Sequence, residues 1–297
     1  MSTVMKRLSN ILIKSKKIKK LQFECVEIKN NLSTQATAIE YKVNVDGVDI
    51  NYVKTGSGEH AVLLLPGMMG TIWTDFKPQI DNLNKEKLTI IAWDPPGYGK
   101  SKPPNRTFPK NFHRRDATWA CNFMKTLGFD KFSLIGWSDG GITSLILAAT
   151  YPENVRKIIV TATHTYITPQ EMALYEISKD LSTWSERVRR SLITIYGEKY
   201  LQDTLSSWID ARRFIVENNN GDICKGDLSK IKSQTLIVHG KKDIIIPIEH
   251  PHYIKANIKN SKLKIFNDGR HNAHLKYADE FNALANNFLI NEEDKKL

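Results

Sequence analysis

The chain has 297 residues, of which 41% are hydrophobic, and this is enough apolar material for one large folded domain. Its three cysteines lie far apart and form no C-x-x-C pair, which argues against a disulfide framework or a zinc knuckle. The formal net charge is +11, but residues 1–20 hold seven basic and no acidic side chains, so the remainder carries only +4. We therefore expect no nucleic-acid-binding surface.

The N-terminal segment, residues 1–38, is basic and has an amphipathic pattern. Wound as a helix, residues 4–18 place Val4, Leu8 and Ile11 on one side and most of the lysines opposite. Serines in the absence of acidic residues are typical of a mitochondrial presequence, and the apolar runs are too short for a secretory signal or a membrane span. We expect a cleaved presequence, a mitochondrial protein and no stable membrane insertion. The alternative is a basic tail on a cytoplasmic protein.

The next residues predict an α/β fold. Alternating apolar and polar residues over 41–45 and 48–53, separated by Asp46-Gly47, predict a β-hairpin. Further strands, mostly continuous apolar runs typical of a buried sheet, are predicted at 61–65, 88–93, 131–135, 157–161, 235–239 and 262–266, with helices at about 113–127, 141–150 and 275–289. This order predicts a mostly parallel central sheet with flanking helices.

A long insertion separates the strands predicted at 157–161 and 235–239. It spans about 70 residues, far more than a simple connection between a strand and the next strand requires. It contains several helical patterns and a turn at 218–221, and its aromatic residues are predicted to be exposed: Tyr166, Tyr175, Trp184, Tyr196 and Trp208. We interpret residues 163–232 as a helical cap inserted into a main domain of residues 39–297.

The strongest motif is the segment from Gly136 to Gly140, which has the pattern G-x-S-x-G between a predicted strand and a predicted helix. In that context the turn is strained and presents the hydroxyl of Ser138 at the end of the sheet. Glycines two positions before and after the serine let the strand and the helix approach each other. Ser138 is therefore the candidate nucleophile.

A serine hydroxyl becomes a good nucleophile only when a histidine takes its proton, and that histidine needs a carboxylate to fix its tautomer. Asp243 and His271 each follow a later predicted strand, and the order Ser138, Asp243, His271 is that of the α/β-hydrolases. Asp268 is an alternative acid because it lies three residues before His271. His274 falls on the last predicted helix, and we interpret it as a packing or pocket residue.

The same chemistry requires two backbone N–H groups that bind the oxyanion. We predict that one belongs to Asp139 and the other to Met68, with Met69 as the next choice. The Asp139 carboxylate also indicates the charge of the substrate, because a negative charge beside the attacking serine would repel the oxyanion unless a positive charge neutralised it. A cationic substrate is predicted; the alternative is that Asp139 only interacts with the helix dipole.

Two other patterns are weaker. The triplet at 99–101 reads Gly-Lys-Ser, but a P-loop needs glycine where the chain has Asp94, so no nucleotide is expected. The triplet at 250–252 reads His-Pro-His without a carboxylate or cysteine at metal-binding spacing, and we predict a surface turn. No metal and no organic cofactor are expected.

Several of these segments together resemble the biphenyl hydrolase-like, or valacyclovir hydrolase, family. They are residues 63–70, 92–95 with 97–99, 136–143, 184–187, 237–240 with Asp243, and 271–272 with His274. The resemblance covers roughly residues 40–290 and implies an α/β-hydrolase that cleaves α-amino-acid esters, including amino-acyl ester prodrugs, in mitochondria. It implies that Ser138, Asp243 and His271 form the triad and that Asp139 pairs with the substrate's α-ammonium group. Pro96 departs from the family, in which arginine is common at this point.

The sequence thus predicts a monomeric serine hydrolase that acts on a small-molecule ester. A serine hydrolase of other acyl substrates is the alternative, whether a carboxylesterase, a thiolactonase or a carbon–carbon bond hydrolase. Asp139 discriminates between the two, because enzymes that act on neutral or anionic substrates have no use for this acid. An inert hydrolase-like binding protein is disfavoured because it needs no intact set of Ser138, Asp243 and His271.

Overall fold

The computed structural model describes residues 38–291, and its centre is an eight-stranded sheet. The strand order is β1-β2-β4-β3-β5-β6-β7-β8; β1 and β2 are antiparallel to their neighbours and β3 to β8 run parallel. The predicted α/β fold with a mostly parallel sheet is confirmed. The predicted presequence lies outside the described residues.

The predicted strands and helices occur in the predicted order, and the helices Ile72–Asn82 and Glu249–Asn257 are present in addition. The strands are β1 (Glu40–Val45), β2 (Val48–Thr55), β3 (His60–Leu65), β4 (Leu88–Trp93), β5 (Phe132–Trp137), β6 (Val155–Thr161), β7 (Gln234–Gly240) and β8 (Ser261–Phe266). The helices are α1 (Ile72–Asn82), α2 (Phe112–Thr126), α3 (Asp139–Thr150), α4 (Pro169–Ser178), α5 (Glu186–Tyr196), α6 (Glu198–Asn218), α7 (Glu249–Asn257), α8 (Ala273–Lys276) and α9 (Ala278–Ile290).

Helices cover both faces of the sheet. Successive side chains of a strand point to opposite faces, and Leu134 and Ile135 of β5 accordingly belong to different apolar clusters. Leu134 packs in the cluster with α2 and α3, whereas Ile135 packs in the cluster with α1 and α9. Because both faces are buried, the central strands are apolar throughout, which is why their sequence runs were recognisable.

The first turn has the geometry that the sequence predicts. Asp46 and Gly47 join β1 to β2 and have φ values of 50° and 83°. Two successive residues with positive φ give a turn whose twist matches that of the two strands, and glycine adopts this conformation without strain.

Three helices, α4, α5 and α6, fill most of the insertion between β6 and β7. The prediction that its aromatic side chains are exposed was wrong for four of them: Tyr175, Trp184, Tyr196 and Trp208 are each 6% exposed. They form an apolar cluster together with Met69, Tyr98 and Phe112 of the main domain. The aromatic rings were misjudged because they pack against a surface supplied by distant parts of the chain.

Two further predictions need correction. The triplet at 250–252 is not a surface turn, because it lies in α7, where His250 is 1% exposed and its Nε2 is 2.8 Å from Glu171 Oε1 of the cap. The last helix is divided at Tyr277, which separates the short α8 from α9. His274 is fully buried on α8 and its Nε2 lies 2.9 Å from the Asp75 carbonyl oxygen, so it is a packing residue.

Candidate active site

Ser138 occupies a strained turn between β5 and α3. Its φ is 54° and its ψ is −118°, a conformation that side-chain-bearing residues rarely adopt. The flanking glycines are sterically required: a Cβ at Gly140 would lie 2.0 Å from the Leu65 carbonyl oxygen, and one at Gly136 would lie 2.4 Å from the Gly140 carbonyl oxygen. The turn therefore holds the Ser138 side chain at the carboxyl end of the parallel strands.

The structure brings Ser138, His271 and Asp243 into hydrogen-bond contact. His271 Nε2 lies 3.2 Å from Ser138 Oγ, and His271 Nδ1 lies 2.8 Å from Asp243 Oδ2. The other oxygen of Asp243 accepts hydrogen bonds from the backbone N–H groups of Ile245 and Ile246 at 2.9 and 3.0 Å. Those bonds fix the carboxylate, so that it can orient His271 with Nε2 toward the serine.

The electrostatics of Asp243 suit this role. Its burial would raise the pKa of the carboxyl, but the charge and hydrogen bond of His271 outweigh that effect and lower the pKa below its usual value. Asp268, the alternative acid, is elsewhere: its exposed carboxylate pairs with Lys242 Nζ at 2.5 Å. Of the two candidate acids, the structure places only Asp243 behind the imidazole.

The loop after β3 supplies the candidate oxyanion donors. The Gly67 N–H is occupied, because it donates to Asp75 Oδ2 at 2.9 Å. Among the residues that the structure describes, the Met68 N–H donates to no acceptor. The Met69 N–H interacts with the buried Tyr98 hydroxyl and opposes the rise in pKa that burial causes in that phenol. Met68 and Met69 line the same cavity as Ser138 and Asp139, and of the two the Met68 N–H is the more available to a substrate oxygen there.

Asp139 has partners that the sequence did not reveal. Its Oδ1 forms an ion pair with Arg212 Nη2, and its Oδ2 accepts a hydrogen bond from Trp208 Nε1 at 2.7 Å. The Arg212 side chain is fully buried, whereas that of Asp139 is 13% exposed. The positive charge that the sequence argument assigned to a substrate is therefore supplied in part by the protein. Trp208 and Arg212 are four residues apart on α6, and the sequence could therefore have shown that they share one face of a helix. That spacing does not identify Asp139 as their partner.

The triad opens into a cavity of about 230 Å³ between the cap and the main domain. Its walls are mostly apolar, with side chains from the cap including Leu174, Trp184, Val188 and Leu192. Polar side chains also line it, some beside Ser138 and others, such as Ser178 and Ser191, on the cap. A site of this kind binds an organic molecule with an apolar body and a few oriented polar atoms.

Asp75 is a second buried acid at this cavity that sequence reasoning missed. It is 4% exposed, and its oxygens accept from the Gly67 N–H and, at 2.7 Å, from Thr74 Oγ1. Burial raises the pKa of Asp75 to about 7, although these two hydrogen bonds oppose the shift. Asp75 therefore titrates near neutral pH inside the folded protein.

We expect Asp75→Asn to become increasingly stabilising, relative to the wild type, as the pH rises from about 4 to about 7. In this range the folded protein keeps the Asp75 proton that the unfolded chain releases, so the wild-type free energy of unfolding falls by up to about 1.4 kcal/mol per pH unit. Above about pH 7 both states are ionised and the difference levels off. Urea unfolding of both proteins across this range measures the effect; parallel stability curves would contradict it.

The described residues show no sign of a metal site or a membrane span. No group of three or more histidine, cysteine, aspartate or glutamate side chains within residues 38–291 is placed to hold a metal ion. In the same part of the chain, no helix combines the length and apolarity needed to cross a bilayer.

Comparisons with known proteins agree with this geometry. Residues 60–202 match the family described as the alpha/beta hydrolase fold. The chain is 48% identical over 248 residues to the human serine hydrolase BPHL, covering 84% of this chain and 85% of that protein. It is 45% identical over 266 residues to mouse serine hydrolase BPHL, covering 89% and 91%. A solved alpha/beta hydrolase from a deep-sea metagenome library, MGS-M2, superposes with a TM-score of 0.72 at 17% identity, covering 86% of this chain and 98% of that one.

The fold and the human and mouse relatives together define a serine hydrolase of the α/β-hydrolase fold. Identity of 45 to 48% over most of both chains also assigns a narrower group. The chain belongs to the biphenyl hydrolase-like (BPHL) family of serine hydrolases.

Proposed function

We propose that this serine hydrolase cleaves α-amino-acid esters through an acyl-enzyme on Ser138. The observation that carries the proposal is the Asp139 carboxylate, which lines the substrate cavity one residue after the nucleophile. An α-ammonium group is one carbon away from the ester carbonyl that a nucleophile attacks. A carboxylate adjacent to the nucleophile is therefore well placed to recognise it.

In the proposed reaction His271 acts first as a base. It removes the proton of Ser138, whose oxygen attacks the ester carbonyl, while Asp243 stabilises the imidazolium that forms. The N–H groups of Asp139 and of Met68 or Met69 receive the oxyanion. His271 then protonates the leaving alcohol, and in the second half it activates a water molecule that hydrolyses the acyl-enzyme.

The Asp139 carboxylate retains capacity for an ammonium group. A carboxylate can accept about four hydrogen bonds, and Arg212 and Trp208 use one on each oxygen. Arg212 at the same time compensates part of the negative charge, so the recognition depends on hydrogen bonding as much as on net charge. The apolar walls would hold the side chain of the amino acid or the leaving alcohol.

The test compares kcat/KM for an α-amino-acid ester and for its N-acetylated counterpart. We expect the wild type to prefer the free amine by roughly 10- to 100-fold, the range of a hydrogen bond to a charged group. Asp139→Asn should lose most of this preference, because its neutral amide offers one acceptor and no charge. The measurement is steady-state kinetics on purified protein lacking residues 1–37.

Arg212→Gln is the matched control, with the opposite expected sign. It removes the compensating cation and keeps Asp139, so the preference for the free amine should rise. If the wild type treats the two esters alike, the proposal fails and the substrate must be sought among neutral acyl compounds, such as those of carboxylesterases, thiolactonases or carbon–carbon bond hydrolases. If Asp139→Asn keeps the full preference for the free amine, the ammonium group must be recognised by another residue.

A further inference from the structure

Two tyrosines of the cap form hydrogen bonds with loops of the main domain. Tyr196 ends α5, and its hydroxyl donates to the Met69 carbonyl oxygen at 2.9 Å and accepts from the Gly99 N–H at 3.0 Å. Tyr200 lies one turn further along the chain, on α6. The two rings stack with their centroids 5.8 Å apart and an interplanar angle of 17°.

Of these two tyrosines, Tyr196 alone forms a hydrogen bond with the loop that carries the candidate oxyanion donors. Tyr200 has equivalent hydrogen bonds, because its hydroxyl donates to the Gly97 carbonyl oxygen at 2.7 Å and accepts from the Arg106 N–H at 2.9 Å. Those partners belong to the segment after β4 and not to the loop after β3. The chain therefore offers two tyrosines with the same kind of bonding, of which one contacts Met69.

A small rotation of the Met69 backbone would change the shape of the oxyanion loop. Met69 is completely buried and has a φ of 59°, a conformation that is unfavourable for a residue with a side chain. Its N–H and its carbonyl belong to two peptide planes that meet at its Cα, so fixing the direction of the carbonyl restricts the direction of the N–H. On the core side, the loop is held by the bond from the Gly67 N–H to Asp75.

We propose that Tyr196 is a positioning residue for the oxyanion loop: by binding the Met69 carbonyl, the cap restrains the short backbone segment that carries the candidate donors Met68 and Met69. Its bond to the Met69 carbonyl holds this strained residue in one conformation. The loop is thereby kept in the shape in which its N–H groups can bind the carbonyl oxygen of the group that Ser138 attacks. Burial raises the pKa of the Tyr196 phenol, so it remains an O–H donor at neutral pH. The inference rests on Ser138 as the nucleophile but not on the nature of the acyl group.

The test compares Tyr196→Phe with Tyr200→Phe in their reaction with an alkyl fluorophosphonate. Phosphonylation of a serine also places an oxygen in the oxyanion hole, and it needs no knowledge of the natural ester. We expect Tyr196→Phe to lower the second-order rate constant by about 10- to 100-fold, less than or comparable to the roughly 10²- to 10³-fold loss on removing an oxyanion donor itself. Tyr200→Phe should remain within about threefold of the wild type, because the bonds that it loses go to Gly97 and Arg106 and not to the oxyanion loop.

A second readout separates positioning from simple destabilisation. Phenylboronic acid forms a tetrahedral adduct with an active serine, and its inhibition constant should rise in Tyr196→Phe in parallel with the loss of kcat on p-nitrophenyl acetate, whereas KM stays nearly constant. Thermal midpoints should fall by similar amounts in the two variants, since each loses two hydrogen bonds to main-chain groups.

Equal rate constants for the two variants, whether reduced or unchanged, would overturn the inference and leave Tyr196 as an attachment of the cap. A wild-type protein that is not labelled at Ser138 would refute the nucleophile itself. Labelling of the wild type and of Tyr196→Phe at the same rate would refute only the role of Tyr196. The two failures are therefore distinguishable.

Discussion

Ser138→Ala is expected to reduce ester hydrolysis by about 10⁶-fold, the scale on which serine hydrolases lose activity when the nucleophile is removed. The reason is structural as well as chemical. The oxygen that His271 activates disappears, and within residues 38–291 no other hydroxyl lies at hydrogen-bond distance from His271 Nε2. Steady-state hydrolysis and fluorophosphonate labelling, followed by peptide mapping, measure the effect.

The variant should keep its fold. Serine and alanine both have a Cβ, so the strain of a positive φ at position 138 changes little. The flanking Gly136 and Gly140 are unchanged. Near-UV circular dichroism and the thermal midpoint provide the control. Hydrolysis that persists in a folded Ser138→Ala protein would mean that another group performs the attack.

Asp243→Asn is expected to lower kcat by about 10⁴-fold with an intact fold, as when the triad aspartate of a serine protease is replaced by asparagine. An amide facing His271 Nδ1 favours the tautomer that cannot accept the serine proton. The asparagine oxygen can still accept from the Ile245 and Ile246 N–H groups, so the loop should survive. The pH profile of kcat/KM should also differ from that of the wild type, because it reports the ionisation of His271, which Asp243 no longer controls.

Asp268→Asn is the matched control for this prediction. It neutralises an aspartate on the loop that leads to His271, but its carboxylate is exposed and bonds to Lys242. Activity should stay within about twofold of the wild type, because exposed ion pairs contribute little. A larger loss in Asp268→Asn than in Asp243→Asn would reverse the assignment of the triad acid.

The sheet and the triad could be predicted because their signals are local. Buried parallel strands produce continuous apolar runs, and the strained turn at Ser138 requires glycines at fixed positions. Asp243 and His271 each follow a strand, and the parallel arrangement brings the ends of strands to one edge of the sheet. Residues 28 apart along the chain thereby come into contact at a position that the topology determines.

The partners of Asp139 and Met69 could not be predicted, because they come from the cap. Arg212 and Tyr196 lie 73 and 127 residues away from their partners along the chain, and no periodicity or motif states how the cap is placed on the sheet. The cap aromatics were predicted to be exposed for the same reason, because the sequence does not show which surface the cap packs against. A pattern within one segment reports which face is apolar, but it does not report the surface that covers that face.

The ion pair between Arg212 and Asp139 means that the cap is not a separable part of this enzyme. Trp208 and Arg212 come from α6, yet they complete the surroundings of a residue that adjoins the nucleophile. A cap grafted from another α/β-hydrolase to change the choice of substrate would also leave the partly buried Asp139 carboxylate without its cation. Successful chimeras of this family should therefore inherit positions 139, 208 and 212 from one parent.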